Sequence, residues 1–515
     1  MIVIMKKIYF ILLVLCFTTA CNFLEIDTEN KIATSEVDYS NTTNMYLPVI
    51  GAYTQLRTSG MHWANQMIWA GRDDDMNSGR TDDQGDALLF SYRGGYQCPN
   101  SFWAVNNAWV TMYEIIRTCN SAQKALDEYG NNLSKNSESY ATYLSYTGEI
   151  TTIKAWAYYM MATTFGACVL LTDNDQDYYV RSTREHVIEY ALKELDAVIP
   201  NMQRMRPNQM AFKGAVTAFT AEALAARFAL LQGDYKKVEE YTDDIITNGG
   251  FALYDDYYNL FKIPGKLCDE SLMEVQVTDL GNATGDYYGI DQWFNFQGAS
   301  LTDTIINVTE KEVEGVPTTV KDTIVKNIGG WNFMWYNPAF VQWAKDRGET
   351  ERLQTSFLVG GEKTKEDWTI EGSSIWNGKA YLPYEQMTKP NTDWGRNNNV
   401  RLIRYAEVLL MNAEAKVRQG KSGDASFNLV RTRAKMDEVT GVTVEQILDE
   451  RRMELCSEWG LRYTDLVRTN KAAEVLNNPA LVRDFGTGDW TPEKAYWPVP
   501  GTQLANIADL ALDPK

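Results

Sequence analysis

A chain of 515 residues, 44% apolar and 12% aromatic, has material for a large core and more than one compact region. Its 68 acidic against 49 basic residues, a formal charge of -19, argue against nucleic acid or other phosphate-rich partners, which need clustered Lys and Arg. The two histidines, His62 and His186, stand far apart, so the His-Glu-x-x-His zinc pattern is missing, as is a Gly-x-Ser-x-Gly elbow.

The first element reads as a secretory signal. Lys6 and Lys7 precede an apolar run from Ile8 to Ala20. That run is too short to cross a bilayer, which takes about 20 apolar residues. Thr18, Thr19 and Ala20 stand directly before Cys21, the setting a lipoprotein signal peptidase needs. The expectation is a signal peptide over 1–20, lipidation at Cys21, and a lipidated tether over 21–36. Two acyl chains make such an anchor stable where one does not. Asn22 after the cysteine, in place of Asp, gives no inner-membrane retention signal, so the outer membrane and surface exposure are expected. Apart from Cys16 within the signal, the remaining cysteines, Cys98, Cys119, Cys168, Cys268 and Cys456, are odd in number and irregularly spaced, which is no disulfide framework.

The spacing predicts helices over about 37–58, 100–129, 140–165, 183–198, 212–232 and 235–248. Further helices are expected over about 401–419, 423–435, 443–458 and 460–469. Ala221, Leu224, Ala225, Phe228 and Ala229 share one helical face, as do Leu402, Ala406, Leu409, Leu410, Ala413 and Val417. Both stretches are rich in small residues and end at a glycine, Gly233 and Gly420, before a second helix. Paired helices repeated in this way are tetratricopeptide-like. The predicted fold is mostly α, a helical-repeat scaffold with a large, loop-rich insertion containing short β-strands.

Three regions follow: helical over 37–264 with a glycine-containing loop segment at 59–100, irregular over 265–400, and helical again over 401–515. The run Thr318-Thr-Val-Lys-Asp-Thr-Ile-Val325 is β-like. Long loops on a rigid scaffold are where binding usually resides, so the 265–400 region is expected to carry the ligand site.

Asp73-Asp-Asp-Met-Asn-Ser-Gly79 alternates oxygen ligands as a calcium loop does, but Ser78 and Gln84 occupy the positions where an EF-hand needs Gly and Glu. That stretch and Asp173-Asn-Asp-Gln-Asp177 are expected to be solvated loops, and no cofactor or metal site is assigned. Trp109 and Trp156 fall on helical faces and belong to the core. Other aromatics crowd the loop regions: Trp63, Trp69, Tyr92 and Tyr96, then Tyr287, Tyr288, Trp293, Phe294 and Phe296, then Trp331, Trp335 and Tyr336. A sugar ring stacks its C–H face on such a side chain, and its hydroxyls need polar partners of the kind Arg72, Asp75, Asn77 and Arg80 supply near Trp69. The alternating charges of Glu450, Arg451, Glu454, Glu458, Arg462, Asp465 and Arg468 are read as ion-paired architecture.

Several stretches, in order along nearly the whole chain, resemble the SusD/RagB family of outer-membrane nutrient-binding lipoproteins. They are Cys21-Asn-Phe-Leu-Glu25, Trp109-Val-Thr-Met-Tyr-Glu-Ile-Ile-Arg-Thr-Cys-Asn120, and Lys154-Ala-Trp-Ala-Tyr-Tyr159 with Thr164-Phe-Gly166. Arg404-Tyr-Ala-Glu-Val-Leu-Leu410 with Ala413-Glu-Ala415, Ile447-Leu-Asp-Glu-Arg-Arg-Met-Glu-Leu455 running on to Arg468, and Tyr496-Trp-Pro-Val-Pro500 complete the set. The resemblance implies a lid on a SusC-like TonB-dependent transporter that captures an oligosaccharide, or in some branches a peptide, and breaks no bond. It points to aromatic-bearing loops over roughly 60–105 and 285–340 but carries over no individual ligand residue. The candidates are therefore chemical choices: Trp63, Trp69, Tyr96, Tyr288, Trp293 and Trp335 for stacking, and Arg72, Asp75 and Arg80 for hydroxyls. The alternatives are peptide cargo, with the negative charge steering cationic peptides, a lipid-anchored glycoside hydrolase, and a helical-repeat adaptor.

Overall fold

The computed structural model describes residues 37–78, 99–277, 298, 301–313, 316–328, 330–331, 333–366, 368–370, 372–387, 397–478 and 490–515. The chain divides into a unit over 1–45 and a body over 46–515. In the first, the described residues include a 3-10 turn, Thr42–Asn44.

The body is mostly helical. Its N-terminal helices are α1 (Leu47–Gln55), α2 (Trp63–Ala70), α3 (Trp103–Asn131), α4 (Glu138–Thr164), α5 (Arg184–Val198), α6 (Ala218–Gln232) and α7 (Tyr235–Asn248). After the middle region's α8 (Pro338–Asp346) come α9 (Tyr405–Arg418), α10 (Asp424–Arg433), α11 (Val444–Glu454) and α12 (Leu461–Arg468). Contacts run serially: α1 on α3, α3 on α4, and onward through α5, α6 and α7 to α9 and α10. Helix α6 sits innermost, against α4, α5, α7 and α9, and its alanines let four neighbours approach. Gly233, at φ +73, ends α6 in the left-handed region that a β-carbon disfavours, and the Asp234 carboxylate then accepts the Lys237 N–H to start α7. This is the tetratricopeptide-like pairing read from the sequence.

Several boundaries differ from expectation. The first helix begins at Leu47 and runs into a π-turn, Leu56–Gly60. Residues 401–404, expected to open a helix, instead belong to strand β8 (Val400–Arg404), paired antiparallel with β2 (Ser271–Val275). Both strands are buried on both faces, so an alternation of apolar and charged residues persists in the interior only because every charge has a partner. Helix α2 lies inside the stretch read as a loop over 59–100.

In the middle region, β3 (Leu301–Val313) and β4 (Val316–Ile328) form a long two-stranded ribbon that contains the β-like run around Thr318. Its base, Leu301 and Ile328, is buried with Leu358, Trp376, Tyr381 and Leu382 in a separate apolar cluster. Two short pairs complete the sheets: β1 (Met76–Ser78) with β5 (Met334–Tyr336), and β6 (Phe357–Val359) with β7 (Ile375–Asn377).

A buried ionic network fastens the C-terminal helices. Glu454 accepts from Arg352 at 3.1 Å, Arg404 at 2.9 Å and Arg433 at 2.5 Å. Arg404 also reaches Glu270 and Glu458, and Arg352 reaches Glu349 and Glu450. Burial pushes the Glu454 carboxyl up, but Arg433, Arg404 and Arg352 outweigh it and hold it far below the usual carboxylate range. Arg451 and Arg468 share Asp465, and Arg468 forks onto Glu414. The alternating charges of 450–468 are architecture, as read.

Candidate functional site

An aromatic patch forms where three segments meet. His62 caps α2 through its side chain, its Nδ1 accepting the Ala64 N–H at 3.2 Å, and so presents Trp63 as the first helical residue. Trp103 opens α3 and is 39% exposed. Trp331 and Phe333 come from the stretch before β5. Trp63 lies 5.2 Å from Trp103, 5.7 Å from Trp331 and 5.8 Å from Phe333, ring centre to ring centre. The Trp63–Trp331 planes are perpendicular and the Trp63–Phe333 planes nearly parallel, as ring quadrupoles favour.

Amides flank the rings. The Asn107 Nδ2 lies 3.3 Å from the His62 Nδ1 and donates to the buried Asn65 Oδ1 at 3.3 Å. Gln503 donates to the Asn106 Oδ1 at 2.9 Å. Burial lowers the His62 pKa, only partly offset by Glu114, so the ring is neutral at neutral pH. With a backbone N–H and the Asn107 amide directed at Nδ1, the proton is assigned to Nε2. The patch offers flat apolar faces beside neutral donors and acceptors, which suits an uncharged, hydroxyl-bearing ring.

Of the stacking candidates, only Trp63 stands in this patch among the described residues. Trp69 is 6% exposed and packs edge-on against Trp156 and Trp459, so it belongs to the core. Trp335 packs against Trp376 in the middle region's apolar cluster. Arg72 is buried, donates to the Ala495 and Lys494 carbonyls at 2.8 and 2.5 Å, and lies between the Tyr463 and Trp497 rings. Asp75 is buried and accepts from Arg452. These two side chains hold the protein together and are not placed to meet sugar hydroxyls. Cys21, Arg80, Tyr96, Tyr288 and Trp293 lie outside the described residues.

Sequence reasoning missed Trp103, although a signal existed. The buried face of α3 centres on Val105, Ala108, Met112 and Ile116, and Trp103 stands half a turn away from Met112 on the helical wheel. A tryptophan on the polar face of an amphipathic helix has no core to fill.

Asp73, Asp74 and Asp75, expected in a solvated loop, are instead buried and met by protein partners, whereas Asp173, Asp175 and Asp177 are exposed, as expected. Asp74 pairs with Arg452 and Arg462; burial raises its carboxyl, and the two guanidiniums outweigh this and hold it low. Asp73 accepts the Asp75 and Met76 N–H groups. Among the described residues no group of three or more His, Cys, Asp or Glu side chains is arranged to hold a metal ion, and no helix is long and apolar enough to cross a membrane. Cys119, Cys168, Cys268 and Cys456 are free thiols.

The SusD family model matches residues 286–508. A SusD-like protein from Bacteroides ovatus is 23% identical, over 70% of this chain and 64% of its own length. The starch-binding protein SusD from Bacteroides thetaiotaomicron is 25% identical, over 62% of this chain and 63% of its own. Residues 286–508 are thus similar to the SusD family, and the curated relatives that match the chain are SusD-like proteins. The chain spans a little under two thirds of the length of these two relatives. The fold also matches solved SusD-like structures: surface glycan-binding protein A from Bacteroides fluxus superposes with a TM-score of 0.72, at 21% identity, over 92% of this chain and 98% of that one. Surface glycan-binding protein A from Bacteroides thetaiotaomicron, in complex with laminarihexaose, gives 0.69 at 20% identity, over 90% and 97%.

Proposed function

We propose that this SusD-like chain is a lipid-anchored, cell-surface protein that binds a neutral oligosaccharide and delivers it to a partner SusC-like TonB-dependent outer-membrane transporter, without breaking a bond. The observation that carries the reading is the Trp63–Trp103–Trp331 patch with its amide rim. It has stacking faces and neutral hydrogen-bonding groups, the two things a sugar ring needs. Solved relatives of the same fold include complexes with laminarihexaose and with a xylogluco-oligosaccharide. The anchor rests on Cys21 and the apolar run before it, and the transporter partnership rests on the likeness to the SusD family.

The test is calorimetric titration of the full chain with β-glucan, xyloglucan and starch oligosaccharides, beside the Trp103→Ala variant. Binding of one glycan class, weakened about tenfold or about 1.4 kcal/mol by Trp103→Ala with the fold intact, supports the reading. Binding unaffected by changes at both Trp63 and Trp103 removes the patch from it. Co-purification of a TonB-dependent transporter from membranes tests the partnership.

A further inference from the structure

A cleft on the scaffold shares no residue with the aromatic patch. Helix α1 and its π-turn form one wall of this cleft of about 340 Å³, and the segments around Gly214 and Gln276 form the other. Three large apolar side chains on this side of the body are exposed: Leu47 at 56%, Ile50 at 44% and Phe212 at 50%. Phe212 lies flat on Tyr46, ring centres 3.9 Å apart and planes 9° from parallel, so its outer face is a ready platform. Gly214, at φ +86, makes the opposite wall possible: a β-carbon there would stand 2.1 Å from the Gln276 amide nitrogen.

The charges in the cleft are unequal in their commitments. Glu274 accepts from the Leu267 N–H and from Asn399, and its other oxygen lies 3.5 Å from Arg401. Lys213 donates to the Asn208 carbonyl at 2.7 Å, and the Tyr46 and Tyr53 hydroxyls both donate to Glu149. Arg57 lines the same cleft, half-buried, and its Nε is fully buried with no acceptor. In a chain with 68 acidic residues, its guanidinium has no carboxylate partner among the described residues.

We infer that this cleft is a second ligand site, for a carboxylate-bearing sugar, that is, a uronate. A guanidinium takes a carboxylate with two parallel hydrogen bonds. The Phe212 face beside it takes the C–H face of a ring. A phosphate has no such face, a neutral sugar leaves Arg57 unanswered, and an aspartate or glutamate side chain carries no ring next to its carboxylate. The volume is at the lower end of ligand pockets, roughly 300–1,000 Å³, which fits a short segment of chain. The formal charge of -19 opposes an acidic glycan at long range, so recognition depends on the local contact.

The test titrates the full chain with trisaccharides of galacturonate and of glucuronate, with their methyl esters, and with a triglutamate peptide. Arg57→Gln, Phe212→Ala and Trp103→Ala variants run alongside, their folds checked by circular dichroism. Arg57 makes no bond that folding depends on, so Arg57→Gln keeps the structure. The expected result is binding of at least one uronate trisaccharide, weakened tenfold or more by esterification and by Arg57→Gln, reduced several-fold by Phe212→Ala, and unchanged by Trp103→Ala. The inference is overturned by no binding of either acid, by equal affinity for acid and ester, or by indifference to Arg57→Gln. Equal binding of the peptide through Arg57 overturns the sugar assignment. Loss in Trp103→Ala alone returns the ligand to the aromatic patch, and the two sites are thereby told apart.

Discussion

Around Glu454, charge is inside the protein and answered at every turn; around Trp63, the exposed groups are indoles and amides. Arg352, Arg404 and Glu454 have almost no accessible side-chain surface, whereas Trp103 stands on the polar face of its helix. The two regions divide the work by chemistry. Buried ions fix where the C-terminal helices sit, because a charge left without its partner in the interior is costly. An uncharged platform suits the neutral sugar proposed for it, because no ion has to be stripped of water. The surplus of acidic residues therefore says little about the ligand at the patch, since many of the carboxylates nearest the C-terminal motifs face arginines within the body.

The largest effect is expected at the centre of the network. Glu454→Ala leaves three buried guanidiniums short of a partner and should destabilise the body by about 3–5 kcal/mol. Urea denaturation measures this, while the molecules that remain folded bind glycan as before. Weaker affinity at full stability would break the division between the regions.

Next is a pH effect. Burial raises the Glu149 carboxyl to about 7, opposed only in part by the Tyr53 and Tyr46 hydroxyls. A raised acid pKa means that its stabilising contribution is complete below the unfolded value near 4.3 and is lost as pH rises through 7. Glu454, held low by its arginines, has the opposite sign: its contribution is present above the unfolded value and fades only in acid. Glu149→Gln should therefore be more stable than the parent at pH 8, by up to ~3 kcal/mol, with the gain vanishing towards pH 4. Thermal melts of both proteins across pH 4–8 decide it.

Arg462→Ala removes a fork onto Asp74, which keeps Arg452 as its second partner, so the cost should be smaller, about 2 kcal/mol. Glycan affinity should not change; a variant that folds normally and loses binding would assign Arg462 to the site. The smallest stability effect is expected at Trp103→Ala, about 1 kcal/mol, because the side chain is partly exposed and loses chiefly its edge contact with Trp63, although the same change should weaken glycan binding about tenfold. That contrast, read by melting and calorimetry on one variant, is the sharpest form of the comparison.

The scaffold was legible because α6 and α9 repeat a pattern of small residues closed by glycine, and periodicity reports local structure. The ends of elements were less so. Val400–Arg404 has too few residues for spacing to separate strand from helix, and its pairing with Ser271–Val275 is a long-range event. Helix α8 did carry a local signal that went unread: Asn337 caps it through its side chain, and Pro338 is its first residue. The site was harder. Arg72 and Asp75 sit beside a tryptophan in sequence and look like a sugar-binding set, yet their partners, Ala495 and Arg452, are 423 and 377 residues away. No spacing rule reaches that far. Trp63 was found because it lies in a glycine-bearing stretch, and Trp103 was overlooked because its helix was read for its core face alone.

Those distant contacts alter how the molecule comes apart. An open array of stacked helix pairs, each touching chiefly its neighbours, frays from either end and melts in stages. Here Arg72 and Asp74, early in the body, are fastened to Lys494, Ala495, Arg452 and Arg462, late in it. The stack is clasped like a bracelet, and its terminal helices cannot peel away while the clasp holds. For the cell-surface role proposed above this matters, because fraying from an end is one of the ways a protease gains a foothold, and that way stays shut while the clasp holds.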